Sequence, residues 1–181
     1  VVRESSSPCS HTTVVQRQTY LDSLLASSDP IPPLKEVAQR FGFAHYLNLK
    51  SAFPAQYNKL QQRRYHEKRQ ALQDILDGDE IITVPELACQ RGYHQADLYR
   101  RFPDLCVQVT QVVRERQKAK CHRYLNELIA NDTYPSLKAI SRMLGVGSYY
   151  LSQRFPQELA TIAEARQRQK QQEYDRLRCY L

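Results

Sequence analysis

The sequence predicts an all-α chain of serial three-helix helix-turn-helix repeats, each about 50 residues long and joined to the next by a long helix. Three observations predict it. Apolar residues recur at i, i+3, i+4 and i+7 in segment after segment, the spacing of one helix face. Gly42, Gly92 and Gly145 stand 50 and 53 residues apart within the same flanking pattern. A Phe-Pro pair closes each copy: Phe53-Pro54, Phe102-Pro103 and Phe155-Pro156.

The third copy, Pro135 to Pro156, shows the pattern most clearly. Leu137, Ile140, Ser141 and Leu144 share one helix face. Gly145 supplies the positive φ that ends this helix in a sharp turn. Val146, Leu151 and Phe155 give the following helix its buried contacts. Pro156 then pushes Phe155 out of helical geometry. A small residue four before the turn glycine, with apolar residues at plus one, plus six and plus ten, is the helix-turn-helix pattern. Around Gly92 the same offsets hold Val84, Leu87, Ala88, Tyr93, Leu98 and Phe102. Around Gly42, Leu34, Val37, Ala38 and Phe43 match, but Phe53-Pro54 comes one residue late. The second helix of copy one is therefore either one residue longer or differently started. Repetition at this period marks serial supersecondary units.

Taken in order, residues 1–13 read as a polar, Ser-rich linker or tail. The chain opens on Val1, so it reads as a segment of a longer protein. Cys9 and His11 lie in the tail, and no second Cys/His pair follows at ligand spacing, so no metal site is expected. Residues 14–57 are helix-turn-helix unit one: a helix over 15–27, a stiff Pro-rich connector, then helices over 34–41 and 45–53. Residues 58–106 are unit two, entered through a helical run over 54–76. Thr83 and Glu86 form a capping box for its middle helix, and its last helix covers 95–102. Residues 107–160 are unit three, preceded by one long helix from Pro103 to Asn131. Its roughly 28 residues span about 42 Å, against about 34 Å for a turn of B-DNA. Residues 161–181 form a C-terminal helix.

The bulk chemistry narrows the function classes. With 26 Lys and Arg against 19 Asp and Glu, the net charge is +7, which favours acidic partners, nucleic acid first. No run of 18 apolar residues and no signal-peptide pattern occurs, so no membrane partner is expected. The five cysteines are irregularly spaced, four of them in predicted helices, as in a reduced cytoplasmic protein. There is no glycine-rich phosphate loop, no paired metal ligand and no nucleophile–base set. The chain is therefore not expected to be an enzyme, to need a cofactor or to take a small-molecule substrate.

In a helix-turn-helix the second helix enters the major groove. Plus six and plus ten face the core, so plus four and plus eight face outward, flanked by plus five and plus seven. In unit two the base-reading candidates are Ala96, Arg100 and Tyr99, with His94 and Gln95 at the helix start and Asp97 beside them. In unit three they are Tyr149, Gln153 and Ser148, flanked by Tyr150 and Ser152; the two tyrosines suit packing as well as base contact. In unit one they are His45, Tyr46 and Asn48, with Ser51 nearby. Arg100 suits guanine, and Gln153 and Asn48 suit adenine. Phosphate candidates are Lys50, Arg101 and Arg154, together with Arg63, Arg64, Arg114, Arg116 and Lys118 from basic runs recurring after each Phe-Pro pair. Such runs are equally the signature of a solvated helix face.

At Leu98-Tyr99-Arg100-Arg101-Phe102-Pro103 and Tyr149-Tyr150-Leu151-Ser152-Gln153-Arg154-Phe155-Pro156 the motif resembles the helix-turn-helix of AraC- and TetR-type regulators. Its serial arrangement departs from both. Over residues 14 to 181 it is more similar to the C-terminal tandem helix-turn-helix region of TnsD/TniQ-family transposition proteins. The family's zinc-ribbon portion has no counterpart beyond Cys9 and His11. The resemblance implies target (attachment) site selection for DNA transposition, with double-stranded DNA, an AAA+ ATPase and transposase subunits as partners in a bacterial, nucleoid-associated setting. The alternatives are the DNA-binding region of a transcriptional regulator and a helical-repeat protein-interaction scaffold.

Overall fold

A computed structural model describes residues 14–178; Cys9, His11 and Cys179 lie outside them. The described residues form ten helices and no strand. They are α1 (Val14–Ala26), α2 (Leu34–Arg40), α3 (Tyr46–Ala52), α4 (Pro54–Asp77), α5 (Val84–Gln90), α6 (Gln95–Arg101), α7 (Pro103–Ala130), α8 (Leu137–Leu144), α9 (Ser148–Arg154) and α10 (Pro156–Arg178). The chain divides into two compact units, one ending at Thr110 and the other starting at Gln111. That division falls within α7. The boundaries expected at 57/58, 106/107 and 160/161 fall inside α4, α7 and α10.

Three pairs of short helices, α2–α3, α5–α6 and α8–α9, are each joined through a glycine with positive φ: +74° at Gly42, +62° at Gly92 and +66° at Gly145. The residue after each glycine sends its N–H back to the small residue four before it. Phe43 donates to the Ala38 carbonyl at 3.0 Å, Tyr93 to Ala88 at 2.8 Å and Val146 to Ser141 at 3.1 Å. This is the Schellman closure, which satisfies carbonyls that the ending helix leaves orphaned. Of the small residues that accept this bond, Ala38 and Ala88 are buried and Ser141 is half-buried. In the third pair the Ser141 hydroxyl also donates to the Val146 carbonyl.

The Phe-Pro joints repeat with the same fidelity. Phe53, Phe102 and Phe155 have φ of −137°, −134° and −135°, with ψ of 63°, 52° and 49°. Proline disfavours α geometry at the preceding residue and is itself favoured at the first helical position. Each phenylalanine still donates its N–H into the short helix, to Leu49, Leu98 or Leu151. Each carbonyl accepts the first bond of the next helix, from Tyr57, Cys106 or Leu159. One residue thus ends one helix and begins another, while its ring is buried.

Around α1 to the start of α4, the core holds Leu21, Ile31, Leu34, Val37, Phe41, Leu49, Phe53 and Leu60. Further along the first compact unit Leu72, Ile75, Val84, Leu87, Leu98 and Phe102 are buried. Tyr65 of α4 lies 4.7 Å from the Phe102 ring. The second compact unit is centred on Cys121, Leu125, Ile140, Leu144, Leu151, Phe155 and Ile162. Burial holds Cys106 and Cys121 as thiols, raising both above their ordinary values. α7 ends by the same closure as the short helices, with Asp132 (φ 51°) in the glycine position and Thr133 N–H bonded to the Leu128 carbonyl. The Thr83–Glu86 box is formed: Glu86 N–H donates to Thr83 Oγ1, and Thr83 N–H to Glu86 Oε2 at 2.8 Å.

Candidate nucleic-acid interface

The second helix of each pair has seven residues, too short to be stable alone. Each is held by one fully buried leucine, Leu49, Leu98 or Leu151, and by the phenylalanine at its end. Everything else on it is exposed or half-buried. Aligning the helices on these leucines settles the register of α3. Its length equals that of α6 and α9, so the extra residue of copy one lies in the turn. His45 then matches His94 at the N-cap, Leu47 matches Ala96 and Tyr149, and Ser51 matches Arg100 and Gln153. The arginine that ends the other two helices, Arg101 or Arg154, is replaced by Ala52.

On α3, His45 is partly committed to the fold. Its Nδ1 accepts the Leu47 N–H at 3.2 Å and its ring stacks on Tyr46 at 4.6 Å. Tyr46, Asn48, Lys50 and Ser51 are exposed, though the Ser51 hydroxyl is turned back onto the Leu47 carbonyl. Leu47, half exposed, was not among the expected base-facing residues, because only the register of the turn puts it there. On α9, Ser148, Tyr149, Gln153 and Arg154 are exposed, Tyr149 by 78%. Tyr150 instead packs on Phe155, with ring centroids 6.5 Å apart.

α6 is organised by Asp97. Its Oδ2 accepts from Lys68 Nζ of α4 at 2.7 Å; its Oδ1 accepts from Arg100 Nη2 and Arg101 Nε, each at 2.8 Å. Burial would raise the Asp97 pKa, but hydrogen bonds from Lys68, Arg101 and Arg100 outweigh it and hold the carboxyl well below the carboxylate range. Arg100 therefore leaves the helix already oriented, yet 76% of its side chain stays open. His94, Gln95, Ala96 and Tyr99 are exposed around it. Lys68 also stands 5.6 Å over the Tyr93 ring.

The basic run of α4 divides by direction. Arg63 is used inside the fold: Nη1 donates to the Leu24 and Leu25 carbonyls that end α1, Nη2 to the Asp29 carbonyl, and Nε to Glu67 at 3.1 Å. Glu67 in turn accepts the Ile31 N–H. This network ties the Pro-rich connector to α4. Arg64, one residue on, lines a cleft of about 680 Å³ in the first compact unit, bounded by Lys35 and Tyr46 on one side and by His94, Asp97 and Arg100 on the other. Lys35 and Lys68 escaped the sequence reading, because neither forms a local pattern with α6. In the second compact unit Arg114 and Lys118 are exposed on α7 and Arg116 is half-buried. The described residues contain no group of three or more His, Cys, Asp or Glu able to hold a metal ion, and no helix long and apolar enough to cross a membrane.

Compared with protein-family models, curated proteins and solved structures, the chain finds no match.

Proposed function

We propose that this chain binds double-stranded DNA sequence-specifically, as serial helix-turn-helix units whose second helices, α3, α6 and α9, enter successive major grooves. The observation that carries the reading is the threefold recurrence of one joint. A Schellman-closed glycine turn leads to a seven-residue helix anchored by a single leucine, and a Phe-Pro bend ends it. Such a helix has few buried contacts and a nearly continuous outward face, which suits a groove-reading element. The outward residues Arg100 and Gln153 have the donor geometry for guanine and adenine edges. Arg101 and Arg154, just before the bend, suit phosphates. Each module alone would bind weakly, and linkage would raise affinity through effective concentration. The task assigned to this binding is attachment-site selection for transposition, with the ATPase and transposase as partners.

Selection from a random duplex pool, followed by footprinting of the winner, tests the reading. The expected result is a defined site with protection in two or three consecutive major grooves. No enrichment, with binding that fades uniformly as salt rises, would refute it.

One observation favours a protein-interaction scaffold as a second reading. Leu137, Ile140, Leu159, Ile162 and Ala163 line an open apolar groove of about 460 Å³ in the second compact unit. An apolar groove is a common site for a partner helix. This reading expects loss of partner binding, with DNA binding intact, in Ala163→Glu.

A further inference from the structure

The cleft between α2 and α6 collects more positive charge than the fold uses. Lys35, Arg64, Lys68, Arg100 and Arg101 line it, against one lining carboxylate, Asp97. Asp97 has both oxygens occupied by three of these cations, so its charge is more than offset there. Glu36 and Glu67 lie near enough to act on Arg64. Glu67, however, is held by Arg63 and the Ile31 N–H, and Glu36 is exposed to solvent. Arg64 is the unbalanced member: its Nε is shut off from solvent and has no acceptor among the protein atoms. An N–H donor buried without an acceptor is costly, and the rest of this half-buried side chain lines the cleft. A fork of N–H donors among further cations matches a phosphate better than a carboxylate, because a phosphate offers more acceptor oxygens and up to two charges.

We propose that this cleft binds a phosphate group, with Arg64 and Lys35, which both line it, as the donors. The phosphate belongs either to a nucleic-acid backbone or to a free phosphorylated molecule. In the first case the site deepens the DNA reading: it grips the strand beside the start of α6. In the second it stands without that reading.

Two readouts on the full chain test it, using wild type, Arg64→Gln and Lys35→Gln. The first is thermal stabilisation by inorganic phosphate and pyrophosphate, at ionic strength matched with chloride. Wild type should be stabilised with rising concentration. Arg64→Gln should need roughly tenfold more anion or more, and Lys35→Gln a smaller excess. Lys35 is exposed, so that variant keeps the test open if Arg64→Gln fails to fold. The second is the salt dependence of duplex affinity, whose logarithmic slope should fall by about one in either variant. Both readouts moving assigns the phosphate to the DNA backbone. The anion readout moving alone, even where no duplex binds, assigns it to a free ligand and leaves the cleft standing while the DNA reading falls. Duplex binding whose slope is the same in all three proteins, with no anion stabilisation that depends on Arg64 or Lys35, overturns the proposal. So does the absence of both anion stabilisation and duplex binding.

Discussion

Lys68 of α4 donates to Asp97 of α6 at 2.7 Å, joining residues 29 positions apart with both side chains mostly buried. The bond fixes the rotation of α6 against the long helix before it. Arg100 and Arg101 leave the same carboxylate, so its position sets theirs. A carboxylate that orients two arginines of a proposed reading helix makes that helix preorganised.

Removing the charge should therefore cost stability. Asp97→Asn leaves Lys68 without its anion and weakens three hydrogen bonds, at about 1–3 kcal/mol. Urea melts should show a lower midpoint with an unchanged slope. An unchanged midpoint would mean that the cluster contributes nothing to the fold.

The same pair predicts a pH dependence. The folded-state pKa of Asp97 lies below its ordinary value of 3.8. Its contribution is therefore fully present above that unfolded value and is lost as pH falls through the folded one. Glu86 acts in the same direction, lowered by its bonds to Thr83. The stability gap between wild type and Asp97→Asn should stay constant from neutral pH down to about pH 5 and shrink only in stronger acid. A gap that closes near neutrality would assign the effect to another group.

Two glycines in one turn should respond differently. Gly145 has φ +66°, while Gly147 has an ordinary φ of −67°, and a Cβ at either meets nothing within 4 Å. Gly145→Ala should destabilise by about 1–2 kcal/mol from backbone strain alone. Gly147→Ala should stay within about 0.5 kcal/mol of wild type, because the gain through the unfolded chain is set against the poorer N-cap that alanine gives α9. Equal effects in thermal melts would contradict the turn geometry.

On the proposed DNA site, neighbouring residues of α9 should separate by role. Gln153→Ala should relax preference at one or two base positions, at about 1–3 kcal/mol. Arg154→Ala should weaken all sequences alike and lower the salt slope by about one. Competition binding with single-base variants of the selected site distinguishes them. The reverse pattern would place the wrong face of α9 against DNA.

Much of the helical architecture was legible because its rules act over a few residues. A positive-φ glycine, a phenylalanine before proline and a Thr-x-x-Glu box each constrain at most five neighbours. The leucines meant to face inward, Leu98 and Leu151, are fully buried. The register of copy one was not legible, since an extra residue in the turn and an extra residue in the helix leave the same spacing between Gly42 and Phe53. The seven-residue length of α3 and the burial of Leu49 separate them.

Side-chain destinations were less legible still. Arg63 and Arg64 are adjacent and chemically identical, yet one closes α1 with its donors and the other lines the cleft. Their positions on the helix differ by about 100°, and other helices decide what stands at each angle: the end of α1 for Arg63, and α2 and α6 for Arg64. By itself, then, the sequence determined where helices start, turn and bend, because backbone sterics and local hydrogen bonds suffice for that. Tertiary structure alone decided which charges are spent inside the fold and which remain available, because burial and pairing depend on residues that only folding brings together.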